Sequence, residues 1–230
     1  MTREERWDNS IKERWDSFLY EQRSQSGVII AYALRHGTTE LNQDNKFRGW
    51  ADVPLDDKGR ADAAQAAEFL KDSGIKHIFH SDLSRAVDTA DIVAKKLSTA
   101  PLSDREDERL RPWDIGELSG KDRDENAELL RWYVDNPSRS IPGGESLEEF
   151  GERCQEALEE YMKIARRGGP ILFVFHTSNV IQLENFCTGT GAEGKPEVDE
   201  RVKPGGILTV DDKLHTEAVL KDGGRAEYGS

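Results

Sequence analysis

Cysteine is scarce in this chain. Cys154 and Cys187 stand alone among 230 residues, with no Cys-x-x-Cys spacing. That leaves no disulfide framework and no cysteine-based zinc motif, and the expectation is reduced thiols in a cytoplasmic protein. Long apolar runs are missing too. No stretch approaches the roughly 18 residues of a membrane span, and the opening Met-Thr-Arg-Glu-Glu-Arg-Trp has no apolar signal region. No membrane partner is expected. Positive charge is in deficit: 32 Lys and Arg face 45 Asp and Glu, for a net charge of −13. This argues against nucleic acid as a partner. It also means that any anion site must be locally basic against an unfavourable overall field. The chain has no Gly-x-x-x-x-Gly-Lys-Ser/Thr phosphate loop and no serine-centred nucleophile elbow.

What the chain does have is two buried-strand signatures, each ending in histidine. The run Val28-Ile29-Ile30-Ala31-Tyr32-Ala33-Leu34 leads into Arg35-His36-Gly37. The run Ile171-Leu172-Phe173-Val174-Phe175 leads directly into His176-Thr177-Ser178-Asn179. Continuous apolar runs of this length, rich in β-branched residues, suit strands covered on both faces. If the two strands are parallel neighbours, they lie about 4.8 Å apart. Their carboxyl ends then share one sheet edge, which is where ligands bind in open α/β folds.

The rest of the sequence alternates helices with short strands. An Ala-rich helix capped by Asp56 or Asp57 runs to about Lys71, and Gly74 ends it. A strand over 75–80 follows, then a helix opening at Ser81-Asp82 with Arg85 in its first turn. A cation there opposes the helix dipole, which makes sense if an anion sits there too. Pro101-Leu102 and Arg109-Leu110 suggest a short edge strand. Residues 112–142 form an excursion with Trp113, Trp132 and Tyr133, helical over 121–134, and a candidate lid or specificity wall. Ser146-Leu147-Glu148-Glu149 is a capping box opening a long helix, and a hairpin over 207–220 closes the fold. This order predicts an α/β three-layer sandwich, with a mostly parallel central sheet flanked by helices. The predicted organisation is a helical extension and linker over 1–26, a main domain over 27–222 and a mobile tail over 223–230. In the extension Trp7, Ile11, Trp15, Phe18 and Leu19 share one helical face. His77 and His80 lie three apart on a strand, so they point to opposite faces, and no metal site is expected from them.

Taken together, Arg35-His36-Gly37, Ser81-Asp82-Leu83-Ser84-Arg85-Ala86 with Thr89-Ala90, Pro142-Gly143-Gly144-Glu145-Ser146 and His176 resemble the histidine phosphatase superfamily. This is also called the phosphoglycerate mutase-like family, and the likeness runs from about residue 29 to 210. The resemblance implies that His36 is a nucleophile taking the phosphoryl group as phosphohistidine. Arg35, Arg85 and His176 would hold phosphate oxygens, with Asn42 and the backbone at Thr177 as further contacts. The implied partner is a small phosphorylated substrate, with no cofactor and no metal. Oligomeric state is not readable.

The chemistry fits independently. Phosphoryl transfer needs an in-line nucleophile and fixed positive charge on the equatorial oxygens. Neutral imidazole is a good nucleophile near pH 7, and nearby guanidinium groups disfavour its protonation. Each close Arg–phosphate pair contributes on the order of 4 kcal/mol at an effective dielectric near 20. A departure concerns the proton donor. Aligning Gly116 with the family pattern places Pro112 where many relatives have Glu. Asp114 is the substitute candidate, ahead of Glu117, Glu108 and water. Phosphomonoester hydrolysis is the favoured reading. The segment Phe47-Arg48-Gly49-Trp50 with Asp52-Val53-Pro54-Leu55 resembles the mutase branch, and a non-enzymatic phospho-ligand or protein-binding relative is the third reading.

Overall fold

A computed structural model describes residues 27–98, 103–190 and 202–220. The helix expected within 1–26, the tail 223–230 and most of the loop before residue 202 lie outside the described residues. Six strands form one sheet: β1 (Ile29–Arg35), β2 (His77–His80), β3 (Ser103–Glu106), β4 (Ile171–Phe175), β5 (Ile207–Asp211) and β6 (Thr216–Leu220). Their order is β3-β2-β4-β1-β5-β6. The first four are mutually parallel, and β5 and β6 close the sheet as the expected antiparallel hairpin. All five residues of β4 are buried, as its unbroken apolar run requires.

Helices cover both faces. On one side lie α2 (Asp57–Leu70) and α3 (Ser84–Ala94), whose Ala66, Ala67, Leu70, Ala86, Ala90 and Val93 pack on Leu34, Ile78, Leu172 and Val174. The other side carries α5 (Leu147–Gly168) and α6 (Thr177–Thr188) against Ala31, Phe79, Phe173 and Phe175. Each fully buried side chain such as Phe150 stabilises by about 1.5–3 kcal/mol. A short α1 (Glu40–Gln43) follows β1, and α4 (Ala127–Asp135) lies in the excursion. The predicted capping box is present: Ser146 Oγ accepts from Glu149 N at 3.1 Å, and Glu149 Oε2 accepts from Ser146 N at 2.7 Å. Both cysteines are free thiols. Among the described residues, no helix is long and apolar enough to cross a membrane.

Several boundaries differ from expectation: the helix expected to open at Ser81-Asp82 starts at Ser84, and the strand expected over 75–80 starts at His77. The edge strand is Ser103–Glu106, and Arg109-Leu110 instead form a turn of 3-10 helix. Asp107 caps that turn, its Oδ1 accepting from Arg109 N at 2.8 Å, so a side-chain cap competes with the ladder. The excursion helix starts at Ala127, six residues later than its polar pattern suggested. Asp122 Oδ1 accepts from Asp124 N and Glu125 N, holding a turn where a helix was expected.

The loop after β1 meets the start of α2 backbone to backbone. A Cβ on Gly59 would lie 2.1 Å from Thr38 O, and one on Gly37 would lie 2.2 Å from Gly59 O. Asp56 fastens this crossing, accepting from Thr38 Oγ1 at 2.7 Å and from Gly59 N at 2.6 Å. Gly59→Ala is therefore expected to lower stability by about 1–3 kcal/mol through overpacking, read as a lower urea midpoint. An unchanged midpoint would show that the two backbones separate freely.

Candidate active site

The parallel register sets Arg35 opposite Phe175, and the ladder continues with His36 N donating to Phe175 O at 3.0 Å. His36 and His176 therefore come next on their two strands, side by side at the carboxyl edge. Their ring centroids are 5.0 Å apart. The pairing inferred from two separate apolar runs is thus met in the fold.

His36 is fully buried. Its Nδ1 lies 2.7 Å from Gly37 O. A carbonyl only accepts, so Nδ1 carries the proton and Nε2 holds a free lone pair. Nε2 is buried with no hydrogen-bond partner. Burial, together with the charges of Arg48, Arg85 and Arg35 and the neighbouring His176, holds the His36 pKa well below its ordinary 6.5. The ring is thus a neutral imidazole with its lone pair held ready.

His176 is fixed from both sides. Arg85 Nε donates to its Nδ1 at 3.3 Å, and its Nε2 lies 2.8 Å from Ser81 Oγ. An accepting Nδ1 puts the proton on Nε2, where it is donated to Ser81. Burial and then Arg85 push its pKa well below 6.5 as well.

Arg85 sits in the first turn of α3 as predicted, and is 1% exposed. Its Nη1 donates to Ala51 O at 2.8 Å and its Nη2 to Gly49 O at 3.0 Å. The helix start that it occupies is capped from a distance: Asp52 accepts from Ser84 N and from Ser84 Oγ, both at 2.8 Å. This explains why Asp52 follows the Arg48-Gly49-Trp50 segment. Arg35 donates from Nη1 to Val202 O at 3.0 Å, while its Nε is buried without a partner.

Arg48 is a third guanidinium in this group, one to which the sequence reading gave no role. Its Nη1 donates to Thr39 Oγ1 at 3.2 Å and to Asn42 Oδ1. Burial, followed by the charges of Arg85, Arg35 and Arg123, pushes its pKa down to about 9. Arg35 and Arg85 fall to about 10, burial being the main cause in each. Arginine stays charged at neutral pH, so these directions record the cost of gathering cations out of water, which an anion would relieve. The available signal was an arginine on an irregular loop just before Gly49-Trp50.

Asn42 and Thr177 flank the group. The Asn42 carbonyl oxygen accepts from Thr39 N at 3.0 Å and from Thr39 Oγ1 at 3.1 Å, besides Arg48. Thr177 begins α6, and its Oγ1 is buried without a partner. Among the described residues, four buried side-chain polar atoms lack partners, and three of them belong to Arg35, His36 and Thr177. Buried polar atoms are normally satisfied, so their gathering at one sheet edge marks a place built for a polar ligand.

The segment with Pro112 is held firmly. Pro112 O accepts from Trp50 Nε1 and from Arg153 Nη2, both at 2.8 Å. Arg153 also reaches Arg109 O and Arg111 O, and pairs with Glu145. Glu145 Oε1 in turn accepts from Asp114 N at 2.8 Å. The glycines of Pro142-Gly143-Gly144 serve this junction, since a Cβ on Gly144 would lie 2.3 Å from Asp114 O. Asp114 is half-buried, and its Oδ1 accepts from Gly116 N at 3.1 Å. Among the described residues, no hydrogen bond or ion pair joins its carboxylate to His36, Arg35, Arg48 or Arg85. Glu117 and Glu108 are exposed.

Two buried neutral histidines make stability depend on pH. Below about 6.5 the unfolded chain protonates both rings while the folded chain does not. Stability is therefore complete above pH 6.5 and falls as pH drops below it, by up to about 1.4 kcal/mol per pH unit for each ring. Thermal melts between pH 7.5 and 5 should show this loss, and added inorganic phosphate should reduce it. A melting point flat across that range would contradict buried neutral rings.

Residues 31–186 match the model of the histidine phosphatase superfamily, branch 1. The chain is 35% identical over 150 residues to a probable phosphoglycerate mutase, GpmB, of Salmonella paratyphi B, covering 63% of this chain and 68% of the relative. GpmB of Proteus mirabilis matches equally. Among solved structures, YhfR of Bacillus stearothermophilus aligns with a TM-score of 0.66 at 26% identity, over 85% of this chain and 97% of that one. A mycobacterial glucosyl-3-phosphoglycerate phosphatase in complex with VO3 aligns with a TM-score of 0.68 at 23% identity, over 83% and 96%. The family match starts inside β1, ends inside α6 and encloses His36, Arg85 and His176; the chain belongs to the histidine phosphatase superfamily.

Proposed function

We propose that this protein hydrolyses a small phosphomonoester through a phosphohistidine on His36, without a metal. The observation that carries this is the partnerless, proton-free Nε2 of His36 within a group of arginines. In the first step the Nε2 lone pair forms a bond to phosphorus and the bond to the leaving oxygen breaks. Arg35 and Arg85 neutralise charge on the equatorial oxygens, and His176 fixes the Arg85 fork. The leaving oxygen takes a proton. In the second step water attacks phosphorus and the P–N bond breaks; one water proton stays on the phosphate, the other returns to the group that gave its proton in the first step, and inorganic phosphate leaves.

Asp114 is the proposed donor of the first proton. To serve, its carboxyl must exchange the Gly116 N–H for the leaving oxygen. Asp114→Asn should then slow esters with poor leaving groups far more than para-nitrophenyl phosphate, whose leaving group needs little protonation. Equal slowing of both would remove Asp114 from the role. Turnover of para-nitrophenyl phosphate should persist in excess chelator, and label from a 32P-ester should be recovered on histidine. Loss of activity on chelation would overturn the metal-free mechanism.

The mutase reading is favoured by one observation, the names of the curated relatives at 35% identity. A mutase returns the phosphoryl group to an acceptor hydroxyl, so phosphoglycerate interconversion assayed with and without bisphosphoglycerate priming separates the two. Interconversion faster than phosphate release would replace hydrolysis as the main activity.

A further inference from the structure

The phosphoryl group of a monoester carries at most two negative charges, and Arg35 with Arg85 already supply two positive ones. Arg48 adds a third. Both its side-chain hydrogen bonds among the described residues run from Nη1, and both go to neutral oxygens, Thr39 Oγ1 and Asn42 Oδ1. Thr39 is fully buried and lies three residues beyond His36. A guanidinium has five N–H donors in a rigid fork, so holding it by Nη1 leaves the other edge to point elsewhere. No carboxylate pairs with it among the described residues. Arg85, by contrast, has Asp52 in its field. Placing an uncompensated cation beside the attacking ring is costly unless an anion is bound there.

The Asn42 amide is the second half of the observation. Its oxygen is identified by the backbone N–H of Thr39, which can only donate. That oxygen accepts three times, from Thr39 N, Thr39 Oγ1 and Arg48. An acceptor oxygen cannot donate to an ionised phosphate oxygen. It can aim a guanidinium at one.

We infer that Arg48 is a third arginine ligand of the phosphoryl group, and that Asn42 acts by positioning it through the amide oxygen. Arg48 is then a catalytic residue and Asn42 a positioning one. This deepens the reading of the site given above and rests on it for the identity of the ligand. Arg48 has a second effect, because its charge bears on His36 more strongly than that of Arg85 or Arg35. The charged and titratable groups facing His36 are Arg35 at the end of β1, Arg48 on the following loop, Arg85 on α3 and His176 at the end of β4.

The test uses inorganic phosphate as the probe and needs no turnover. Titration calorimetry should show Arg48→Gln binding phosphate about 10-fold or more weakly than the wild-type chain, as expected for a lost charged hydrogen-bonding group. Arg48→Lys, which keeps the charge but not the fork, should fall between them. NMR titration of the His36 ring should show its pKa raised in Arg48→Gln, a shift that a merely structural loop residue would not produce. Asn42→Ala should weaken phosphate binding in the wild-type background and add little in the Arg48→Gln background. Phosphate affinity within twofold of wild type in a folded Arg48→Gln protein would overturn the inference. So would weakened binding of a phosphorylated carboxylic acid with inorganic phosphate unaffected, since Arg48 would then serve a second anion. Should the Gln variant fail to fold, the Lys variant decides by the same binding criterion. The outcome is separable from the phosphohistidine reading. A His36→Ala protein that still turned over would sink that reading and leave the dependence of phosphate binding on Arg48 intact.

Discussion

His36→Ala is expected to lower kcat by at least roughly a thousandfold, because it removes the atom that forms the covalent bond. The lone pair that matters is on Nε2, and the Gly37 carbonyl keeps the proton on the other nitrogen. His176 does not offer a second free lone pair: it presents Nδ1 to Arg85 and Nε2 to Ser81. The variant should still fold. The ring makes one hydrogen bond among the described residues, to a neighbouring carbonyl, and its removal also takes an unsatisfied polar atom out of the interior. The measurement is steady-state hydrolysis of para-nitrophenyl phosphate beside a thermal melt of the same preparation. Activity within tenfold of wild type in a folded variant would refute the assignment.

Arg85→Lys should be nearly as damaging, with a fall in kcat of roughly 100- to 1000-fold, the range seen when one stabilising donor is lost from a preorganised site. The charge survives this change, but the planar fork does not. The wild-type guanidinium reaches Gly49 O, Ala51 O and His176 Nδ1 at once. One ammonium cannot hold those three partners in the same directions. The loop at Gly49–Ala51 and the His176 ring lose a common anchor, so KM for the ester should rise as well. A lysine variant with near wild-type kcat would mean that Arg85 acts as a point charge and not as a fork.

The strand content was legible because β1 and β4 carry period-free apolar runs, which only a doubly covered sheet accommodates. The helix starts at Asp56 and Ser146 were legible because their capping chemistry is local. The excursion was read less well. Its turn at Asp122 and the 3-10 turn at Asp107 depend on single side chains competing with helix and ladder, and propensity averages over such choices. Arg48 went without a role for another reason. Its partners, Thr39 and Asn42, lie at the cap and in the single turn of α1 just before its loop, and nothing in the pattern says which way a guanidinium on that loop turns.

The order of residues alone determined the chemistry on offer: two strand-ending histidines, Arg35 beside one of them, and an arginine where a helix begins. Those are properties of residue type and of short-range periodicity. The tertiary structure decided which atoms are free to react. The strand register put the two rings 5.0 Å apart. The Gly37 carbonyl chose the His36 tautomer, and burial removed its proton. Tautomer and charge state follow from neighbours brought together across the chain, and those neighbours exist only once it has folded.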